Sequence, residues 1–386
     1  MIPHALRVAV LGAGAIGRLQ AAAIAYAMPA PSVALLRRPG TPATSLCIQV
    51  MDATAAATTT TTAATTTSLP SRPADAAMGD GAPHIVVVTT KAFDVTRAVH
   101  DLLVSRTAGQ ASTSPATAAQ RAPTAVVLLC NGALTARDRL LAAPWWPRAH
   151  AHVLLGLTTH GARLPSSADS TACLPVMHTG VGETLVGMPP ATHPCYPAMA
   201  CWRDRMLATT TPVRGVWRFV AAAAATQACY RKLALNAVIN PLAAALQVPN
   251  GALATAAPAS AVATLVSETA HAVWTAMEAS LDAATTASGE MMAAVRPFAS
   301  PADLAEAARA LCALTAANWN SMAVDVQRGG PTELDALYGG LLDPPRSIEA
   351  GQGTAAVDPV DLVAARAHLR SLSGLVTAAC ELRRTA

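Results

Sequence analysis

The sequence of 386 residues predicts an α/β N-terminal domain followed by an all-α C-terminal domain. Three observations support this fold class. A glycine-rich turn lies near the start of the chain, between an apolar run and a helical pattern. Apolar runs of strand length recur up to about residue 215. Only long helical patterns follow, so we place the domains at 1–214 and 215–386.

The first element, Leu6 to Leu11, has the pattern of a buried strand and leads directly into a GxGxxG motif. A helical pattern to about Ala27 follows. In this setting the motif predicts a Rossmann-type dinucleotide site. Its first glycine permits the tight turn, its second lets a pyrophosphate approach the backbone, and its third lets helix pack on strand. The predicted cofactor residues here are Gly12, Ala13, Gly14, Ala15, Ile16 and Gly17.

The second strand, Ser32 to Leu36, ends at Arg37 and Arg38. About twenty residues beyond the last glycine, an NAD-binding protein carries an acid for the ribose hydroxyls. Two guanidinium groups suit a phosphate instead, so the sequence predicts NADPH as the cofactor. The alternative is that both arginines are solvated loop residues.

Residues 53–83 are rich in alanine and threonine. Such low-complexity composition is typical of an exposed insertion, here within the first domain. We expect it to contribute little to the chemistry.

Two further buried strands, His84 to Thr90 and Ala125 to Cys130, are each followed by a polar residue. Lys91 follows the first and Asn131 the second. Doubly wound folds place ligand contacts at the carboxyl ends of their strands. Lys91 is therefore a predicted contact to the cofactor or a carboxylate, and Asn131 a predicted neighbour. The pair Asn131-Gly132 could also be a simple turn.

A strand-like run at Val153 to Leu157 leads to Thr158-Thr159-His160, and a glycine-punctuated segment follows at His178 to Gly187. We expect this segment to form a hairpin that closes the sheet. His160 and His178 are weaker candidates for catalysis, because single histidines are more often structural.

The C-terminal domain contains a polar stripe. Lys232, Asn236 and Asn240 lie four residues apart and therefore share one side of a helix. An ammonium and two amides in apolar surroundings indicate a cleft, because buried amides need partners. The alternative is that both asparagines bond to neighbouring backbone. The predicted helices are Trp217 to Leu246, Ala259 to Ser288, Ser300 to Gln327 and Val360 to Arg383.

Composition excludes several classes of function. The net charge of +4 is mild and the basic residues are scattered, so we expect no nucleic-acid partner. No uncharged apolar run reaches the length of a membrane span. The eight cysteines form no CxxC pair, which predicts buried thiols in a reducing compartment and no metal.

The N-terminus resembles two kinds of targeting segment. An apolar run ending in Ala25-Tyr26-Ala27 imitates a signal peptide, and the absence of acids before Asp52 is typical of a mitochondrial presequence. Cleavage would remove the glycine motif, so we expect an unprocessed, cytoplasmic chain.

At this point the residues resemble a known family, the ketopantoate reductases (2-dehydropantoate 2-reductases). The motifs in common are the glycine turn, Thr90-Lys91, Asn131-Gly132, Thr158-Thr159-His160, the segment from His178 to Gly187, Arg231-Lys232-Leu233 with Asn236 and Asn240-Pro241, Asn318, Ser321-Met322 and Glu333-Leu334-Asp335. Two features depart from the family: Tyr338 replaces the usual asparagine before Gly339, and the Ala/Thr-rich insertions are long.

The resemblance implies NADPH-dependent reduction of 2-dehydropantoate to pantoate, a step toward pantothenate and coenzyme A. It implies that Lys232 is the catalytic lysine and Glu333 its acidic partner. Lys91 and Asn131 resemble cofactor contacts, and Arg37 the contact to the 2′-phosphate. The implied substrate contacts are Asn236, Asn240, Asn318 and Ser321.

Two rival functions remain open. One is an NADPH-dependent reductase of the same architecture acting on another 2-oxo acid. The other is a non-catalytic NADPH-binding sensor, against which the presence of both Lys232 and Glu333 argues. The alanine-rich helices could pack in a homodimer or close a monomer's core.

Overall fold

The computed structural model describes the chain in two units, Met1–Thr226 and Gln227–Ala386. The first contains a mostly parallel sheet with helices, and the described part of the second contains helices alone, which confirms the predicted fold class. The described residues are 6–28, 32–37, 44–52, 64–73, 83–108, 123–165, 173–211, 213–255, 257, 260–288, 296–342 and 357–385.

The first unit is built on a sheet of eleven described strands in the order β11-β10-β7-β6-β5-β1-β2-β4-β3-β9-β8. The strands are β1 (Val8–Leu11), β2 (Val33–Arg37), β3 (Thr44–Asp52), β4 (Ala64–Pro73), β5 (Ile85–Val88), β6 (Thr124–Leu128), β7 (Ala151–Thr158), β8 (Gly161–Arg163), β9 (Cys173–Gly180), β10 (Glu183–Met188) and β11 (Val216–Ala221). The helices of this unit are α1 (Ala15–Ala27), α2 (Ala92–Ala108), α3 (Ala133–Ala142) and α4 (Tyr196–Ala208).

The centre of the sheet is parallel and completely buried. β1 pairs in parallel with both β2 and β5, β5 with β6, and β6 with β7. Every residue of β1, β5 and β6 is buried. Continuous apolar runs are typical of parallel strands because helices cover both faces of such sheets. The predicted strands near residues 8, 33, 85, 125 and 153 are confirmed.

The segment from His178 to Gly187 does not form the predicted hairpin. Its two strands do not pair with each other: β9 pairs antiparallel with β8 and parallel with β3, whereas β10 pairs antiparallel with β7. Val181 and Gly182 therefore connect two strands that pair with different neighbours. A tight hairpin connection would need the chain to reverse, and the sequence signal of alternating glycines does not distinguish the two cases.

The alanine- and threonine-rich stretch 53–83 was expected to be an exposed insertion. Part of it, β4, lies instead within the sheet, parallel to β2 and antiparallel to β3. β-branched threonines favour extended backbone, which explains why this composition forms a strand. Residues 53–63 and 74–82 lie outside the described part of the chain.

Strands do not cease at residue 215 as predicted. The run Val216–Ala221 forms β11, which pairs in parallel with β10, and the following helix begins at Ala222 rather than Trp217. Trp217 is buried while Val216 and Arg218 are exposed, and this alternation is typical of a strand. The first unit accordingly extends to Thr226, beyond the predicted boundary at 214.

The helices of the second unit pack around one apolar core. Ala237 and Leu242 from the first helix meet Val273, Leu337 and Leu369 from three others in this core. The helices are α5 (Ala222–Leu246), whose first turn belongs to the first unit, α6 (Gly251–Ala254), α7 (Ala261–Ser288), α8 (Pro301–Leu314), α9 (Ser321–Gln327), α10 (Leu334–Leu342) and α11 (Pro359–Thr385).

The predicted helix from Ser300 to Gln327 is two helices. α8 ends at Leu314, and a new helix begins at Ser321 after a non-helical loop. The side chain of Asn320 accepts a hydrogen bond from the backbone of Ala323 and so caps α9. Asparagine is a strong N-cap residue because it satisfies a donor that the first helical turn leaves open. Among the described residues, no helix is both long enough and apolar enough to cross a membrane.

His160 and His178 form a structural pair. Nδ1 of His160 lies 2.9 Å from Nε2 of His178 and accepts a hydrogen bond of 3.2 Å from the backbone N–H of Gly182. Burial, and secondly the nearby His178, lower the pKa of His160 to about 4. A neutral ring is required here because a protonated Nδ1 could not accept the Gly182 hydrogen bond.

We expect this pair to make stability depend on pH. The folded pKa of His160 lies below its ordinary value of about 6.5, so the unfolded chain binds the proton first as the pH falls. The contribution of His160 to the free energy of unfolding is complete above about pH 6.5 and is lost between about pH 6.5 and 4. Because the ring is partly exposed, we expect the free energy of unfolding to fall by only roughly 1–2 kcal/mol. Urea unfolding at pH 7.5 and pH 5 measures this loss.

The variant His160→Asn keeps an acceptor for Gly182 but cannot titrate, so its loss between the two pH values should be smaller. The matched control is His271→Asn, on the exposed side of α7, which should lose as much as the wild type. An equal loss in all three proteins would contradict the prediction.

Candidate functional site

The glycine turn joins β1 to α1, and packing requires two of its three glycines. Gly12 has φ +117°, a conformation that other residues rarely adopt, and a Cβ there would lie 2.9 Å from the backbone nitrogen of Thr90. A Cβ on Gly17 would overlap the carbonyl oxygen of Gly12. The turn and the close approach of helix to strand therefore both depend on glycine, as the motif predicts.

Gly14 is different: in the described part of the chain, no atom other than those of its immediate chain neighbours lies within 4 Å of the position that its Cβ would occupy. It is exposed, it precedes the first residue of α1, and no side chain caps the helix there. Open space beside an uncapped helix N-terminus is the arrangement that a pyrophosphate requires. The observed geometry of the turn thus fits a dinucleotide.

The other predicted cofactor residues lie at one edge of the sheet. β2, β1, β5 and β6 are adjacent and parallel, so their carboxyl ends meet at the same edge. Arg37 ends β2, and Lys91 and Asn131 follow β5 and β6; all three are half-buried. The structure therefore brings these residues to the edge that carries the glycine turn. Arg38 lies outside the described residues.

Two threonines that follow β5, Thr89 and Thr90, also belong to this edge of the sheet, and the sequence did not predict roles for their hydroxyl groups. Thr89 donates a hydrogen bond from its hydroxyl to the carbonyl of Leu11, 3.1 Å away, and so ties the end of β5 to β1. The hydroxyl oxygen of Thr90 is buried and makes no hydrogen bond within the described chain. A buried hydroxyl without a partner is unfavourable, so a ligand bound at this edge could supply its hydrogen bond.

In the second unit, the polar stripe lies along α5. Lys232 and Asn236 are half-buried, and Asn240 is 8% exposed. The intervening residues Ala234 and Ala237 are fully buried in the helical core. The stripe therefore follows the helix from a partly accessible ammonium to a nearly buried amide.

Glu333 is buried, with 7% of its surface exposed, and it directly precedes α10. Its carbonyl accepts hydrogen bonds from the backbone N–H groups of Ala336 and Leu337, so it occupies the N-cap position of that helix. These two hydrogen bonds hold the backbone of Glu333 against the first turn of α10.

Asn318 and Ser321 flank the start of α9, and both are exposed. The carbonyl of Asn318 accepts a hydrogen bond of 3.0 Å from the backbone N–H of Asn250. The side chain of Asn250 donates to the hydroxyl of Thr315 and accepts from the side chain of Asn320. This buried network fixes the loop that presents Asn318 and Ser321.

Asn250 and Asn320 were not predicted as part of the site. Asn250 was regarded only as a helix break, and Asn320 fell inside a helix predicted to be continuous. The available signal was the asparagine immediately before Ser321, which is a preferred helix start. Among the described residues, no cluster of three or more histidine, cysteine, aspartate or glutamate side chains could hold a metal ion.

Two family models match this chain. The model of ketopantoate reductase PanE/ApbA matches residues 8–190, and the model of the PanE/ApbA C-terminal domain matches residues 224–346. The chain belongs to the ketopantoate reductase family. This confirms the resemblance seen in its motifs.

A curated relative supports the same family over part of the chain. A 2-dehydropantoate 2-reductase of Vibrio cholerae is 33% identical over 190 residues, which are 49% of this chain and 53% of that protein. The matched region thus spans about half of the relative's length.

Solved structures of two enzymes share the fold over nearly the whole chain. A probable 2-dehydropantoate 2-reductase from Bacillus subtilis has a TM-score of 0.59 and 19% identity, covering 95% of this chain and 100% of its own. A D-mandelate dehydrogenase, solved with NADH and anilino(oxo)acetate, has a TM-score of 0.62 and 14% identity, covering 98% and 99%. At such identities the similarity shows the fold alone.

The two glycines Gly14 and Gly17 of this ketopantoate reductase family member allow binding and folding to be tested separately. Gly14→Ala should fold normally, because its φ of −68° suits alanine and its Cβ would meet open space. Its dinucleotide affinity should fall roughly tenfold or more, because the methyl group occupies the path of the pyrophosphate. Gly17→Ala should instead lose about 1–3 kcal/mol of stability by overpacking.

Urea unfolding and fluorescence titration with NADPH measure the two effects. If Gly14→Ala bound the dinucleotide as tightly as the wild type, the pyrophosphate would not approach the backbone at Gly14.

Proposed function

We propose that this protein is an NADPH-dependent reductase that converts 2-dehydropantoate to pantoate, with Lys232 as the general acid. The observation that carries the proposal is the use of lysine. Only two of the 27 basic residues are lysines, Lys91 and Lys232, and both lie at predicted site positions. Arginine cannot give up its proton in a protein, whereas an ammonium can, so of the two kinds of basic residue only lysine can serve as the proton donor.

The chemistry of ketone reduction suits this side chain. The nicotinamide, when bound, supplies a hydride to the ketone carbon. Negative charge then grows on the carbonyl oxygen. An ammonium held beside that oxygen stabilises the charge and delivers the proton that completes the alcohol.

Glu333 is proposed as the acidic partner of Lys232. It is a nearly buried carboxylate on a helix start, and its backbone is fixed by the two hydrogen bonds at its carbonyl. A carboxylate near Lys232 would orient the ammonium and, after each turnover, relay a proton from water to the neutral amine. The resemblance of Glu333-Leu334-Asp335 to the family's motif supports this role, and so does the burial of Glu333.

The substrate contacts proposed for the second unit are Asn236, Asn240, Asn318 and Ser321. Amides and a hydroxyl suit the carboxylate and the hydroxyl group of 2-dehydropantoate, since they offer donors without adding charge. Asparagine is rare in this chain, with six in 386 residues. Three of the six, Asn236, Asn240 and Asn318, are proposed substrate contacts, and this concentration of a rare residue supports the proposed site.

The proposed preference for NADPH depends on Arg37. It ends β2, beside the strand that leads into the glycine turn, where the adenosine ribose of a bound dinucleotide lies in this fold. A guanidinium fork binds a phosphate with two hydrogen bonds. A 2′-phosphate on the ribose would supply that phosphate.

We expect Lys232→Ala to lower turnover by about 100-fold or more, because the variant loses both the proton donor and the charge. NADPH affinity should not change. Oxidation of NADPH in the presence of 2-dehydropantoate is the assay, and an added alkylamine should restore part of the rate.

Lys232→Arg is the matched variant. It keeps the positive charge but cannot donate the proton, so it should remain slow. Near-normal turnover in Lys232→Ala would refute the role of the lysine. A wild type that binds NADPH but reduces no 2-oxo acid would favour a sensor, and faster reduction of a different 2-oxo acid would reassign the substrate.

We expect Arg37→Ala to weaken NADPH roughly tenfold or more and NADH much less, because only NADPH carries the phosphate. The control is Arg97→Ala, which removes an equal charge from the exposed side of α2. Michaelis constants for both cofactors, measured at one ionic strength, decide the question. Equal losses for the two cofactors would show that Arg37 does not bind the phosphate.

A further inference from the structure

Helix α5 contains a proline at position 241, directly after Asn240, the last residue of the polar stripe. Proline has no backbone N–H, so it cannot bond to the carbonyl four residues earlier. That carbonyl belongs to Ala237, which is fully buried. A buried carbonyl without a donor is unfavourable, so this position needs a hydrogen bond from elsewhere.

Tyr338 provides it. Its hydroxyl donates a hydrogen bond to the carbonyl of Ala237 at an oxygen–oxygen distance of 2.9 Å. Tyr338 is 1% exposed. Burial raises the pKa of this phenol far above its ordinary value, so it stays a donor throughout the working pH range.

The position of this bond links the proposed catalytic elements. Ala237 directly follows Asn236, and Pro241 directly follows Asn240, so the bond lies inside the proposed substrate contacts of α5. Tyr338 lies in α10, about one turn beyond the start of that helix, which Glu333 directly precedes. One hydrogen bond thus connects the helix that carries Lys232 to the helix that follows Glu333.

We propose that Tyr338 is a positioning residue for the reaction, which replaces the helical donor missing at Pro241 and thereby sets Asn236, Asn240 and Lys232 relative to Glu333. This inference rests on the proposed function. In this proposal, Tyr338 does not contact the substrate and acts only through the backbone of α5. A donor of this length also fixes the separation of the two helices, which a smaller side chain at 338 could not do.

The test is Tyr338→Phe, which keeps the ring and removes the hydroxyl. We expect the protein to stay folded, turnover to fall about tenfold and the KM for the 2-oxo acid to rise several-fold. The dissociation constant for NADPH should not change, since its proposed contacts lie in the other unit. Tyr26→Phe, on the exposed side of α1, is the control and should behave as the wild type.

The decisive test repeats Tyr338→Phe in a protein that already carries Pro241→Ala. Alanine at position 241 restores the backbone N–H that bonds to the carbonyl of Ala237. With that donor present, the further change Tyr338→Phe should alter turnover less than about twofold. An equal loss in both backgrounds would overturn the proposal, because the hydroxyl would then act in some other way. Unchanged turnover and KM in the single variant Tyr338→Phe would overturn it as well.

Two further readouts separate this proposal from the proposed function. Amide hydrogen exchange at residues 236–240, measured in all four proteins, reports how strongly the hydrogen bond to Ala237 protects the backbone of α5. The effects of Tyr338→Phe and Pro241→Ala could depend on each other in hydrogen exchange but not in turnover. That result would assign Tyr338 a purely structural role and overturn the proposal that it positions the catalytic residues. Failure of the proposed function shows in the wild type alone, as the absence of reduction with any 2-oxo acid.

Discussion

The parallel pairing of β1 with β2 and β5 is the constraint on which the cofactor half of the site depends. The carboxyl ends of parallel strands lie at the same edge of a sheet. The pairing alone therefore brings four features to that edge: the glycine turn, Arg37, Lys91 and Asn131. No direct contact between these side chains is needed for that result. The polar residues can therefore vary in detail while the sheet keeps them within reach of one extended ligand.

The parts that the sequence predicted well are those in which local pattern and local structure coincide. The glycine turn is one: Gly12 needs an unusual φ, and Gly17 needs close packing, and both demands arise within six residues of chain. The buried central strands are another, because an apolar run of four residues bounded by turns has few alternatives. The stripe of Lys232 was likewise predictable, since helical periodicity fixes it.

The parts that were missed depend on partners distant in sequence. Whether β9 and β10 pair with each other or with other strands is decided by β3, β7 and β8, and no property of the glycine-rich segment reveals it. The cap at Asn320 interrupts a helical pattern that looked continuous. Tyr338 was noted only as a departure from the family, and its partner lies 101 residues away. A hydrogen bond across that separation has no signature in composition or periodicity.

The last helix lies beyond the matched family domain and holds the segment that carries Glu333. The C-terminal family model ends at residue 346, whereas α11 begins at Pro359. Yet Arg384 of α11 donates to the carbonyl of Gly329 at 2.6 Å, just before Glu333, and Arg366 donates to the carbonyl of Leu341 at the other end of α10. Both ends of the segment that carries Glu333 and Tyr338 are thus held by one helix. The position of the proposed acid therefore depends in part on α11, which adds these two hydrogen bonds to the apolar packing of α10.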